Sequence, residues 1–193
     1  ASEGKAHSAV QVVADTAASN YTTLPAAGSY AVDPSSAYVH LVANETIHGV
    51  EFPDAIDTGG VPLVADFSSS ILSRPIDVSK YGVIYAGAQK NIGPSGLVVM
   101  VIRKDLLERA GQPRAKILSY KEHAAQGSML NTPPTFSWYL AGLVFEWMLA
   151  QGGLATFEAN NRRKAEALYS AIDGSGGFYR NPVAVDARSL MNV

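Results

Sequence analysis

Four short runs of apolar and β-branched residues recur along the chain, each closed by polar positions. They are Ala37-Tyr38-Val39-His40-Leu41-Val42, Pro62-Leu63-Val64-Ala65 ending at Asp66, Gly82-Val83-Ile84-Tyr85-Ala86 ending just before Gln89-Lys90, and Leu97-Val98-Val99-Met100-Val101-Ile102. All four read as strands. The last is almost continuously apolar, the pattern expected of a strand buried on both faces.

Between and after these runs the period changes. Ala9 to Ala18 reads as a weakly amphipathic helix ending near Ser19-Asn20, and Lys104 to Ala110 as a short helix closed by Gly111. Thr135 to Ala150 places Phe136, Tyr139, Leu140, Leu143, Val144 and Trp147 at helical spacing, behind a Pro133-Pro134 start. Gly152-Gly153 breaks that helix, and a second runs from Thr156 to Asp173 until Gly174 to Gly177 ends it. Short strands alternating with helices imply an α/β layer with a mostly parallel sheet. The expected division is residues 1–155 as one large domain and 156–193 as a linking helix and the start of a second, smaller one.

Composition narrows the class. A chain of 193 residues suffices for one core, or for one domain and part of another. With 47% hydrophobic and 17% charged residues it is globular rather than disordered. A net charge of -2 without a basic run argues against a nucleic-acid partner. There is no cysteine, which excludes disulfides and thiolate metal sites and allows a reducing compartment. No apolar stretch reaches the roughly 18 residues of a membrane helix, so no membrane partner is expected. Ala1 to His7 is too polar for a signal peptide. Residue 1 is not Met, and Ser189-Leu190-Met191-Asn192-Val193 reads as a strand just starting, so a central fragment lacking both ends is expected.

Candidate chemistry gathers after two of the strands. Val64-Ala65-Asp66-Phe67-Ser68-Ser69-Ser70 and Tyr85-Ala86-Gly87-Ala88-Gln89-Lys90-Asn91-Ile92-Gly93-Pro94-Ser95-Gly96 both put polar groups at the carboxyl end of an apolar run, the edge where α/β sheets bind ligands. Pyridoxal 5'-phosphate (PLP) chemistry needs a lysine amine for a Schiff base, a carboxylate facing the pyridine nitrogen, and donors for a phosphate. Asp66 and Lys90 lie 24 positions apart (90 − 66), which fits one crossover between parallel strands, since such units run to roughly 30 residues. Gly87, Gly93 and Gly96 would permit turns, positive φ angles and close backbone approach. Ser68, Ser69, Ser70 and Gln89 are candidate phosphate donors.

Each feature has a plainer interpretation. A lysine after a strand is commonly a solvated surface residue. An aspartate there is commonly a turn or cap, and the serines suit an ordinary loop. His7, His40, His48 and His123 show no metal-ligand spacing; His40 reads as structural and His48 as a loop residue near the site. Neither a P-loop nor a Gly-x-Ser-x-Gly elbow is present.

Asn44-Glu45-Thr46-Ile47-His48-Gly49-Val50-Glu51-Phe52, Ala65-Asp66-Phe67-Ser68-Ser69, the stretch Ser73 to Asn91 with its Gly87-Ala88-Gln89-Lys90-Asn91, and Asn131-Thr132-Pro133-Pro134 together resemble the phosphoserine aminotransferase family, from about Tyr38 onward. The resemblance implies a class V, fold-type I PLP-dependent transaminase with a three-layer α/β/α large domain. It implies a homodimer that converts 3-phosphohydroxypyruvate and glutamate into O-phosphoserine and 2-oxoglutarate, in the cytoplasm or in a plastid. By the same resemblance Lys90 binds the cofactor covalently and then shuttles a proton, and Asp66 pairs with the pyridine nitrogen. Thr46 lies near the ring hydroxyl, Ser68 beside the ring and Gln89 at the phosphate. Asn131 and Thr132 reach the phosphate in the partner subunit. The family's Gly-rich phosphate turn, stacking aromatic ring and His-Arg substrate pairs have no counterpart in this stretch, so the 193 residues alone are expected to be inactive. Another class V PLP enzyme, and a non-catalytic dimerisation domain with an idle Lys90, are the alternatives.

Overall fold

Alternation of side chains across a pleated backbone builds the central layer. In β4 (Leu63–Asp66) Leu63 and Ala65 are buried on one face while Val64 and Asp66 are half-buried on the other. β5 (Val83–Gly87) repeats the pattern, with Ile84 and Ala86 inward. The computed structural model describes residues 3–109, 111 and 115–193. β1 (Val39–Val42), β4, β5 and β6 (Val98–Ile102) form a four-stranded sheet in the order β1-β4-β5-β6. β1 and β5 both run parallel to β4, and β6 is antiparallel to β5. The expected mostly parallel α/β sheet is therefore present, and Asp66 and Lys90 do follow neighbouring parallel strands.

The inward face carries the core. Leu63, Ala65, Ile84 and Ala86 meet Val61, Phe67 and Tyr81, with Ile56, Ile71 and Ile76 closing over them. Phe67 and Tyr81 pack edge to face at 5.4 Å. The opposite face, with His40, Val64, Val83, Tyr85 and Met100, lines an open groove. Of the three layers expected, these residues thus supply the sheet and the cover on one side.

Beside the sheet, β2 (Asn44–Glu45) and β3 (Val50–Glu51) form a small antiparallel hairpin. It is tied to the sheet through the Ala43 N–H on the Asp66 carbonyl and the Phe52 N–H on the Ala43 carbonyl. Among the described residues four α-helices follow: α1 (Lys104–Arg109), α2 (Tyr120–Ala125), α3 (Thr135–Ala150) and α4 (Gly153–Asp173). The α3–α4 junction turns by 86°. Gly152, at φ 99°, makes that corner, and Trp147 meets Phe157 across it at 5.1 Å. Among the described residues no single helix is long and apolar enough to cross a membrane.

Several expectations need correction. Ala9 to Ala18 is not a helix: only a 3-10 turn at Ala17–Ser19 forms, started by the Asp15 carboxylate accepting from the Ala17 N–H. Branched Val10, Val12 and Val13 oppose a helix there. β6 is not buried on both faces; Val98 is 58% and Val101 49% exposed, because among the described residues β6 is an edge strand paired only with β5. α4 starts at Gly153 rather than Thr156. Ser189 to Val193 forms no strand; the segment lies against the β2–β3 hairpin through an Arg188–Val50 bridge and the Ser189 N–H on the Gly49 carbonyl. Ala110, the expected end of α1, lies outside the described residues.

Candidate functional site

Lys90 is presented by a single tight turn at the carboxyl end of β5. The Ala88 carbonyl accepts from both the Ile92 and Gly93 N–H groups, at 3.0 and 2.9 Å. Ala88 and Ile92 are buried and pack against Ala141 of α3. Asn91 donates its side-chain amide to the Ile71 carbonyl at 2.6 Å. With both ends of the turn and Asn91 held inward, Gln89 and Lys90 project outward and are exposed. The Lys90 ammonium donates to the Thr46 hydroxyl at 2.8 Å. Among the described residues no carboxylate pairs with Lys90.

One strand away, Asp66 ends β4. Its carboxylate accepts the Ser68 N–H at 2.8 Å, and the Ser68 hydroxyl accepts the Gly87 N–H at 3.0 Å. Ser68 therefore joins the ends of β4 and β5 and keeps its own hydroxyl proton available. The next two serines behave differently from expectation. Ser69 is buried, donating to the Asn44 carbonyl and accepting from the Asn44 side chain, and is committed to the hairpin. Ser70 is buried as well. Of the three glycines near Lys90 only Gly96 takes a positive φ, 96°. Gly87 serves close approach instead: a Cβ there would lie 2.5 Å from the Gln89 side-chain oxygen.

The third element is the turn between β2 and β3, which carries Thr46. Glu45 shapes it. One carboxylate oxygen accepts the His48 N–H at 2.6 Å and the Ile47 N–H at 3.1 Å, and lies 2.9 Å from His48 Nδ1. Partial burial pushes the Glu45 carboxyl up, but these contacts outweigh it and leave the group below the ordinary glutamate value. Neither Glu45 nor Tyr85 was singled out from sequence. The Glu45-x-x-His48 spacing was the available signal for the first, and the placement of Tyr85 opposite Asp66 required the register.

Thr46, Asp66, Ser68, Gln89 and Lys90 thus come from three segments that meet at one end of the sheet. Asn131 and Thr132 do not join them. Both are exposed just ahead of α3, and no side-chain hydrogen bond ties either to the cluster. A separate cleft of about 560 Å³ lies between α4 and the final segment, lined by Glu51, Arg74, Tyr169, Asp173 and Arg188 among others. Its charges of both signs are mostly paired with one another, as in Arg74–Glu51 and Arg188–Asp173. Among the described residues no group of three or more acidic or histidine side chains is placed to hold a metal.

The arrangement offers an amine without an ion-pair partner, a carboxylate held by one backbone donor, and hydroxyl and amide groups around them. Comparison with known proteins points the same way. The family model for aminotransferase class-V matches residues 5–193. Phosphoserine aminotransferase of Stenotrophomonas maltophilia (strain R551-3) is 65% identical over 184 residues, 95% of this chain and 51% of that protein. The Xanthomonas euvesicatoria phosphoserine aminotransferase is 58% identical over 183 residues, with the same coverage. The structure of phosphoserine aminotransferase from Bacillus circulans subsp. alkalophilus superposes with a TM-score of 0.94 at 45% identity, over 98% of this chain and 52% of that one. A PLP-bound phosphoserine aminotransferase from Trichomonas vaginalis gives 0.84 at 41% identity, over 89% and 47%. The chain spans about half the length of the curated relatives it matches.

Proposed function

Because the chain belongs to the class-V aminotransferase family, we propose that it is the part of a phosphoserine aminotransferase that carries the reactive lysine. The reaction is transfer of an amino group from glutamate to the phosphorylated 2-oxo acid 3-phosphohydroxypyruvate, giving O-phosphoserine and 2-oxoglutarate, a step of serine biosynthesis. The observation that carries this reading is Lys90, held on a rigid turn, hydrogen-bonded to Thr46 and one strand from Asp66.

The residues fit pyridoxal 5'-phosphate. Bound, it would supply an aldehyde to a primary amine and a ring able to take up the electron pair left when a Cα–H bond breaks. Lys90 would be the amine that holds it, and the Lys90 nitrogen would hold and return the proton at the substrate Cα. Asp66, with one oxygen engaged by the Ser68 N–H, presents the other to the ring nitrogen. The Thr46 hydroxyl, beside Lys90, serves the ring hydroxyl, and Ser68 lies at the ring with its proton free to donate. Gln89 points from the same turn as Lys90 and serves the cofactor phosphate.

Asn131 and Thr132, exposed at the start of α3, serve the phosphate in a partner subunit, so the enzyme is a homodimer with shared sites. The exposed aromatic side of α3 supports this reading, with Phe136, Tyr139 and Trp147 at 71%, 62% and 54% exposure. Residues 1–155 form the cofactor-binding unit and 156–193 lead into the small domain. A cytoplasmic location is in keeping with a sequence that needs no disulfide. The test is transaminase activity of the whole enzyme with glutamate and 3-phosphohydroxypyruvate. The expected result is turnover that Lys90→Ala abolishes and Asp66→Asn lowers by about a thousandfold or more, the scale of losing a group engaged in the transition state. Full activity in Lys90→Ala would overturn the assignment.

A further inference from the structure

β1, β4 and β5 are adjacent and parallel, and their register puts Asp66 beside Tyr85 and His40 beside Val64. Side chains two apart on a strand share a face, so His40, Asp66 and Tyr85 all stand on the open face of the sheet. His40 Nε2 lies 2.9 Å from the Tyr85 hydroxyl, and the two rings sit 6.0 Å apart, tilted by 31°. We propose that Tyr85 and His40 are positioning residues for Asp66, a hydrogen-bonded series across three strands that fixes how the carboxylate meets the cofactor ring nitrogen. The inference rests on the cofactor reading above and adds two residues to it.

The chemistry of the hydroxyl sets the direction of the series. Tyr85 has one proton to give. Burial, then the charge of Asp66, its neighbour in register, hold that proton on the phenol and push its ionisation up. A hydroxyl that donates to Asp66 accepts from its other neighbour, so His40 supplies Nε2–H. That role requires only the neutral ring. Although His40 is exposed as a residue, partial burial of its ring keeps it below the ordinary imidazole value, with the Asp66 charge acting in the opposite direction. In the proposed series Tyr85 adds a second donor to Asp66, beside the Ser68 N–H at 2.8 Å. A carboxylate held by one donor rotates more freely than one held by two, and partners behind a reacting group commonly set its orientation. Among the described residues the other titratable groups on this groove are the Tyr38 and Tyr120 phenols, and no lysine or arginine lines it.

A plain packing role for these rings predicts different behaviour from a series of hydrogen bonds, and nitrogen NMR of the whole enzyme separates them. Neutral His40 is expected as the Nε2–H tautomer. Asp66→Asn should lower its titration midpoint by about half a pH unit or more, as removal of one nearby negative charge requires. Tyr85→Phe, nearly the same shape, should abolish the tautomer preference. Spectral titration with pyridoxal 5'-phosphate supplies the second readout. Tyr85→Phe and His40→Leu should each weaken binding by about fivefold, the scale of one hydrogen bond, while His40→Gln, which keeps an N–H donor, recovers most of it. A midpoint indifferent to Asp66→Asn, a tautomer indifferent to Tyr85→Phe, or a glutamine variant no better than leucine would overturn the proposal. If the wild type binds no pyridoxal 5'-phosphate, the functional reading falls, and the two NMR results still decide whether the series exists.

Discussion

Ser68 has a hydroxyl that accepts the Gly87 N–H and a backbone N–H that meets Asp66, so one residue spaces the two strand ends that carry the chemistry. Ser68→Ala leaves the half-buried Gly87 N–H without its acceptor. The expected loss is about 1–2 kcal/mol of folding stability, read from urea unfolding, since an unsatisfied buried donor costs more than the bond itself was worth. An unchanged unfolding midpoint would show that water replaces the hydroxyl. At this scale the sequence is a partial guide. Asp66 and Lys90 stand out because each closes an apolar run, and a strand end is a place with a known direction. The split among Ser68, Ser69 and Ser70 is not legible, because Ser69 turns inward to Asn44, 25 positions away. Leu72, two positions after Ser70, adopts φ 60°, a left-handed conformation costing about 1–2 kcal/mol, which no local pattern announces.

The hairpin turn that carries Thr46 is organised by Glu45, and this gives the molecule a local pH response. Glu45 sits below its ordinary value in the folded chain. A carboxylate depressed on folding contributes stability that is present above its unfolded value, near 4.5, and is lost as pH falls through the lower folded value. Protection factors of the Ile47 and His48 amides, taken against the intrinsic exchange rate at each pH, should therefore be high near neutrality and fall as the pH drops below about 4.5, while that of Ile84 in the core stays high. In Glu45→Gln the same two amides should exchange faster already at pH 7, by about fivefold for one weakened hydrogen bond. Element by element, the central strands were legible because β4 and β5 are short apolar runs, each closed by polar positions. The segment from Ala9 to Ala18 was not, since small apolar residues satisfy several periods at once. Asp15, with Asn20 and Tyr21 just beyond the segment, instead sets a local turn, with Asn20 and Tyr21 at φ 52° and 59°.

Across the whole molecule the distribution of apolar surface is uneven. α3 is apolar on nearly every side, and Ser137, Ala141 and Met148 with the half-buried Phe145 face the chain while Phe136, Tyr139 and Trp147 face away. The period revealed the helix; which side turns inward depends on the fit of Ala141 against Ala88 and Ile92, a contact between distant segments. Helices apolar all round are buried in their assemblies, which agrees with the proposed homodimer. Replacing Tyr139 and Trp147 together with aspartate should shift the whole enzyme to monomers in sedimentation velocity, and unchanged dimers would place the interface elsewhere. The family, the sheet and the lysine turn converge on one claim, that Lys90 holds the cofactor. Borohydride reduction of the whole enzyme with pyridoxal 5'-phosphate, followed by mass spectrometry of its peptides, tests it most directly. The account predicts a single reduced pyridoxyl adduct on Lys90 that disappears in Lys90→Ala; an adduct on another lysine, with Lys90 unmodified, would contradict it.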